Sequence, residues 1–165
     1  MPDVLIAGCG YVGIATAKLF RAEGWSVTAW TRSGEIADRG LDIQRCAVDL
    51  RDRSDVEKNS FRCNVVVHCA SSGGGDAHQY RRIYHDGVAN LIACFPSARI
   101  LFTSSTSVYP QSDGDWVDET SPAEPSSAKG KVLRAQSSRR HLMGLKRAKR
   151  KRRNTGDKKM LTILG

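Results

Sequence analysis

The sequence predicts an α/β fold: a three-layer Rossmann-like sandwich around a mostly parallel sheet, incomplete at its C-terminal side. Three observations carry that expectation. An apolar run, Val4–Ala7, enters the glycine turn "GCGYVG" and then a helix with Val12, Ala15, Leu19 and Ala22 at helical spacing. Short apolar segments then alternate with helical ones, the pattern of right-handed crossovers between parallel strands. The 165-residue chain is 40% hydrophobic, which suits one domain with a proper core and excludes wholesale disorder.

The elements follow in order. Val4–Ala7 is continuously apolar, as in a strand buried on both faces. Gly24 is placed to stop the first helix. "WSVTAW" (25–30) reads as a second strand and "DIQRCAVDL" (42–50) as a short third. "SDVEKNSF" (54–61) reads as a short polar helix capped by Ser54. "CNVVVHCAS" (63–71) is a buried fourth strand, "DAHQYRRIYHDGVANLIACF" (76–95) one long helix, and "ARILFTSS" (98–105) a fifth strand. From Val108 to Ser127 the chain is polar and loop-like, with Pro110, Pro122 and Pro125. "KGKVLRAQ" (129–136) starts a further helix, and "MLTILG" (160–165) reads as a last short strand. The alternation ends near residue 137, which divides the chain into a Rossmann-like domain over 1–136 and a basic tail over 137–165.

Composition narrows the setting. No apolar run is long enough to span a bilayer, and the N-terminus carries no basic leader, so a cytoplasmic location is expected. Cys9, Cys46, Cys63, Cys69 and Cys94 form no C-x-x-C pair. Five scattered cysteines argue for reduced thiols, against a disulfide framework, and against a metal site. The net charge of +9 is unevenly spread. Residues 1–128 hold 12 Lys+Arg and 16 Asp+Glu, a net of −4, whereas residues 129–165 hold 14 Lys+Arg and one acid, a net of +13. The basic character belongs to the tail.

Gly8, Gly10 and Gly13 form a G-x-G-x-x-G frame between a buried strand and an amphipathic helix. The first glycine allows the tight turn, the second lets backbone approach a pyrophosphate, and the third lets helix and strand pack. Tyr11 and Val12 open the helix whose N–H groups would face the phosphates. At the end of the second strand, NAD sites place an acid against the ribose 2′-OH. This chain has Thr31, Arg32 and Ser33 there, a set suited to a 2′-phosphate. NADP is therefore preferred over NAD as the expected cofactor, with Arg32 stacking on adenine or facing solvent as the alternative.

Three further stretches, "VDLRD" (48–52), "VVVHCASSGGG" (65–75) and "ILFTSSTSVYP" (100–110), resemble the short-chain dehydrogenase/reductase superfamily. Within it they are most similar to the NAD(P)-dependent epimerase/dehydratase family of its extended and atypical branch. "YRRIYHDGVANLIAC" and "WVDETSPAEP" share that look, and the similarity runs to about residue 136. The resemblance implies that Asp49 hydrogen-bonds the adenine amino group, with Leu50 beside it. It implies that Cys69, Ala70 and Ser71 line the cofactor, that Asn90 is structural, and that Ser105 is the catalytic serine holding the substrate oxygen. A plain reading of Ser104–Ser107 is a strand exit that satisfies its own backbone.

The family's Y-x-x-x-K motif is absent. In the corresponding "PSSAKGKVLRAQ", Ser127 stands four residues before Lys131, and these two are the candidates for its role. A serine hydroxyl is a poor replacement for a phenol whose pKa a lysine lowers. Tyr109 and His68 read as structural. The expected partner is a small molecule, a nucleotide sugar or a carbonyl compound, and the resemblance implies a homodimer through helices of the sheet. A UDP-sugar dehydrogenase N-domain also fits "GCGYVG" but not "SSTSVY". The tail leaves three readings: a nucleic-acid or nuclear-localisation segment, disfavoured by its lack of interleaved aromatics; a solvated extension; or truncation or out-of-register translation of a longer gene. An oxidoreductase or epimerase is thus expected, with a non-catalytic NAD(P)-binding module or regulator, or a truncated remnant, as the alternative.

Overall fold

A computed structural model describes residues 1–111, 116–118 and 120–135, and the backbone of 162–163. Five strands alternate with helices: β1 (Asp3–Ala7), α1 (Tyr11–Ala22), β2 (Ser26–Thr31), β3 (Gln44–Ala47), α2 (Arg53–Lys58), β4 (Val65–His68), α3 (Ala77–Arg81), α4 (Val88–Cys94) and β5 (Arg99–Thr103). A further helix, α5, covers 128–135, and Thr162–Ile163 form a short β6. The strand order is β3-β2-β1-β4-β5-β6, and every pairing is parallel. β6 lies beside β5 over two residues, Phe102↔Thr162 and Thr103↔Ile163, within the segment expected to be a strand. The rest of the expected basic tail lies outside the described residues.

The apolar run of β1 is continuous because both of its faces are covered. Leu5 and Ala7 pack with Val56 of α2 and Leu91 of α4 on one face. Val4 and Ile6 pack with Ala17 of α1 on the other. Residues alternate across a strand, so two helical layers enclose the sheet. A third cluster joins Phe102, Tyr84 and Val88 to Leu133 of α5.

Helix ends follow local chemistry. Gly24 (φ +77°) closes α1: its N–H donates to the Arg21 carbonyl, and the Trp25 N–H donates to that of Phe20. These two bonds satisfy orphan carbonyls in a left-handed stop. The cap of α2 is Asp52 rather than Ser54. Its extended backbone precedes the helix, and its carboxylate accepts from the N–H groups of Ser54 (2.8 Å) and Asp55 (3.4 Å). Ser54 lies inside the first turn and donates its hydroxyl to the same carboxylate at 2.7 Å.

The segment expected to be one long helix is interrupted by a π-helical stretch, Arg82–Gly87, between α3 and α4. The wider turn falls where the helix meets the loop after β3. A Cβ on Gly87 would stand 3.3 Å from the Leu50 Cβ, and buried Asn90 donates its Nδ2–H to the Leu50 carbonyl at 2.9 Å. The structural role expected of Asn90 is this bond. Among the described residues, no helix is long and apolar enough to cross a membrane, and no group of three His, Cys, Asp or Glu could hold a metal.

Leu133 is fully buried. We expect Leu133→Ala to cost about 2–5 kcal/mol, read as a lowered urea midpoint. An unchanged midpoint would detach α5 from the folded unit.

Candidate functional site

The site begins where β1 ends. The N–H groups of Gly8 and Cys9 both donate to the Trp30 carbonyl, at 2.9 and 3.2 Å, which folds the turn over the exit of β2. Gly8 has φ +99°, and a Cβ there would lie 2.2 Å from the Ala70 backbone nitrogen. A Cβ on Gly13 would lie 2.4 Å from the Gly8 carbonyl oxygen, so α1 presses directly on the turn. Gly10 differs: nothing stands within 4 Å of its missing Cβ. The space a side chain would fill is left open in front of α1. That helix has no side-chain cap and no acidic residue in its first turn. Its N–H groups and positive dipole end face the opening.

The opening is a cleft of about 330 Å³ across the carboxyl ends of the strands. It lies where the strand order reverses between β1 and β4, the usual ligand crevice of such sheets. Of the residues expected to bind the cofactor, all but Gly13 and Ser33 line it. Gly13 shapes the turn from behind, and the Ser33 hydroxyl accepts from the Glu35 N–H at 3.2 Å. Trp30, Val48 and Ile83 also line the cleft. Sequence reading missed them because apolar residues in strand and helix patterns read as core.

The charged groups of the cleft differ in their pairing. Arg32 is exposed and has no hydrogen-bond or ion-pair partner among the described residues. Asp49 is held in a fork: Arg51 Nε donates to both carboxylate oxygens (2.8 and 2.9 Å), Nη2 to Oδ2 (2.5 Å), and the Arg51 backbone N–H to Oδ1 (2.9 Å). Hydrogen bonds from Arg51 hold the Asp49 carboxyl below the ordinary carboxylate range, with Arg82 adding to the effect. Arg51 was not singled out in the sequence, where it reads as one residue of "VDLRD". Burial pushes the Cys69 thiol up to about 11, against the opposing hydroxyls of Thr16 and Thr103.

The three expected catalytic residues stand apart from this cleft. The Ser105 hydroxyl lies 3.0 Å from that of Ser107 and accepts the Ser107 N–H at 3.3 Å, capping a 3₁₀ turn, Thr106–Val108. Ser127 caps α5, its hydroxyl accepting the Gly130 N–H at 3.0 Å. Lys131 is exposed on that helix. The two caps are neighbours nonetheless, since a Cβ on Gly130 would lie 2.6 Å from the Ser107 carbonyl oxygen. Tyr109 is a strut, its hydroxyl donating to the Asp118 carbonyl at 2.9 Å. His68 is buried against the rings of Phe102 and Tyr84.

Strand order, glycine turn and crevice together define a Rossmann-like α/β protein. The chain belongs to the NAD dependent epimerase/dehydratase family, whose profile matches residues 4–131. Protein YeeZ of Escherichia coli strain K12 is 33% identical over 142 residues, covering 81% of this chain and 51% of that protein. A Methylobacillus flagellatus protein assigned as an NAD-dependent epimerase/dehydratase matches with a TM-score of 0.68 at 28% identity, over 83% of this chain and 49% of that one. UDP-glucose 4-epimerase of Brucella ovis, solved in complex with NAD, shares the fold: TM-score 0.76, 17% identity, 99% of this chain and 51% of that one. The chain thus spans about half the length of the relatives it matches.

A thiol held near 11 is ionised to only about one part in ten thousand at pH 7. We expect iodoacetamide to label Cys69 at pH 7 at least about tenfold more slowly than free cysteine, followed by mass spectrometry of the digest. Labelling as fast as free cysteine would show the thiol to be neither buried nor shifted.

Proposed function

We propose that the chain binds an NAD(P) dinucleotide along this cleft and serves an oxidoreductase or epimerase reaction of its family's type. The observation that carries the reading is the uncapped α1 N-terminus facing the open space at Gly10. A side chain at position 10 would occupy that space, and without one the helix N–H groups can meet a pyrophosphate directly. A nicotinamide held there would supply hydride acceptance or return for a substrate carbinol or carbonyl carbon.

The residues divide the remaining work. Val48, Leu50 and Ile83 supply apolar walls for the adenine end. Arg32, unpaired and exposed beside Thr31, supplies a guanidinium for a 2′-phosphate, which favours NADP. Cys69, Ala70 and Ser71 border the opposite end of the cleft. Ser105, outside this lining, would hold the substrate oxygen. The substrate class is a nucleotide sugar or a simple carbonyl compound, in line with the nucleotide-sugar epimerases among the structures that share the fold. Five free thiols fit a reducing, cytoplasmic setting.

A second reading, a module that binds the dinucleotide without turnover, is favoured by one arrangement. Ser127 has its hydroxyl engaged as a cap, and Lys131 does not line the cleft.

Titration of the purified chain with NADPH and NADH, followed by nucleotide fluorescence, tests the reading. We expect NADPH to bind about tenfold or more tightly than NADH, and Arg32→Ala to remove that margin while leaving NADH binding in place. Failure of both nucleotides to bind would overturn the assignment. Equal binding by the unaltered chain would overturn the role of Arg32 alone.

A further inference from the structure

We propose that residues 71–75 form a glycine strap that closes over the pyrophosphate of a bound dinucleotide, with Tyr84 as the post that holds its inner end. The proposal rests on the dinucleotide reading above and extends it to a segment that reading leaves idle.

The stretch "SSGGG" leaves β4 at the border of the cleft, which Ser71 lines. Gly73, Gly74 and Gly75 all have positive φ, at +67°, +104° and +89°. Packing does not demand glycine at the first two, since nothing stands within 4 Å of a Cβ at 73 or 74. Their backbone conformation does, because residues with a side chain rarely adopt it. All three are exposed, and the N–H groups of Gly74 and Gly75 have no acceptor among the described residues. A segment with so few contacts moves at little cost.

The ends of the strap are fixed. Tyr84 is buried among the rings of His68, Tyr80 and Phe102. Burial, with the charge of Tyr80, raises the Tyr84 phenol's pKa, and the Ser72 N–H directed at its hydroxyl opposes the rise. At the outer end the Asp76 carboxylate caps α3 by accepting the Gln79 N–H at 2.9 Å, and a Cβ on Gly75 would overlap the Gln79 side chain. Held ends and a free middle make a hinge at the glycines. The ligand supplies the drive. The α1 N–H groups meet one side of a pyrophosphate and leave its other oxygens bare. The unspent N–H groups of Gly74 and Gly75 can serve those oxygens, and so can that of Gly73, held only by a 3.3 Å bond to the Ser71 hydroxyl. These bonds exist in the closed strap alone, which is the differential contact that closure requires.

Amide hydrogen exchange of the full chain, read by mass spectrometry, tests the strap. We expect the amides of 72–75 to exchange about tenfold or more slowly with saturating NADPH. Adenosine 2′,5′-bisphosphate carries the 2′-phosphate but no pyrophosphate, and should leave those rates within about twofold. Tyr84→Phe keeps the ring and removes the hydroxyl. It should release NADPH about threefold or more faster and hold the bisphosphate as the unaltered chain does, with circular dichroism reporting its folding. Unchanged exchange at 72–75 while NADPH is bound would overturn the proposal. Equal slowing by the bisphosphate would also overturn it, since the segment would then answer to the adenosine end. Unchanged NADPH release by Tyr84→Phe would overturn the role of Tyr84. If that variant fails to fold, the exchange pattern of the unaltered chain decides the matter. No binding of NADPH or NADH by the unaltered chain would instead remove the dinucleotide reading itself.

Discussion

The architecture depends on one close approach of backbone to backbone. Residue 8 passes so near Ala70 that a methyl group there would overlap the neighbouring strand's exit. β1 is the strand at which the sheet order reverses, and the chain leaving it passes hard against Ala70 beyond the end of β4. With glycine at position 8 it turns at once, anchored by two N–H bonds to the Trp30 carbonyl. The start of α1 is thereby set directly over the strand ends. Floor, helix terminus and cleft are consequences of that turn, which is why an exposed Tyr11 and Val12 are tolerated at its mouth.

The two ends of the cleft are built differently. At the Asp49 end, Arg51 forks the Asp49 carboxylate and Asn90 holds the Leu50 carbonyl, while Arg32 has no partner among the described residues. That end needs nothing beyond the first three strands, α2 and the middle of the long helical segment. The region of Ser105, outside the cleft lining, depends on a 3₁₀ turn and on α5, which meet through the tight contact at Gly130. A nucleotide and a substrate held as proposed would therefore rest on different parts of the chain. Damage to one need not disturb the other.

Much of this was legible in the sequence, for reasons particular residues make plain. Val4–Ala7 and Val65–Val67 announce buried parallel strands because both faces are covered, and the glycine frame announces the turn because only glycine fits at 8 and 13. The π-helical stretch was not legible. It falls where the helix meets Leu50, a contact forty residues away in sequence through Asn90, and no local pattern encodes such a partner. The cap of α2 was misplaced by two residues because Asp52 and Ser54 are both good caps; the extended backbone at Asp52 decides between them. Arg51 was overlooked because a surface arginine beside two aspartates looks like ordinary solvated charge until its fork is seen. Val48 and Ile83 were overlooked because a cleft wall and a core use the same residues.

The serines at the Ser105 end carry the last distinction. Ser105 and Ser127 both accept a backbone N–H, but this has opposite consequences for the roles expected of them. A hydroxyl that accepts a hydrogen bond keeps its own proton, and the acceptance fixes which way that proton can point. Ser105, asked only to hold a substrate oxygen, loses nothing by capping and gains orientation from Ser107. Ser127, asked to stand in for a proton-accepting phenol, has an acceptor direction spent on Gly130. A hydroxyl is already a weak base, and donating to its oxygen makes it weaker. The geometry thus supports the grip on an oxygen more strongly than the removal of its proton. Any turnover by this chain has to draw its base from somewhere other than Ser127.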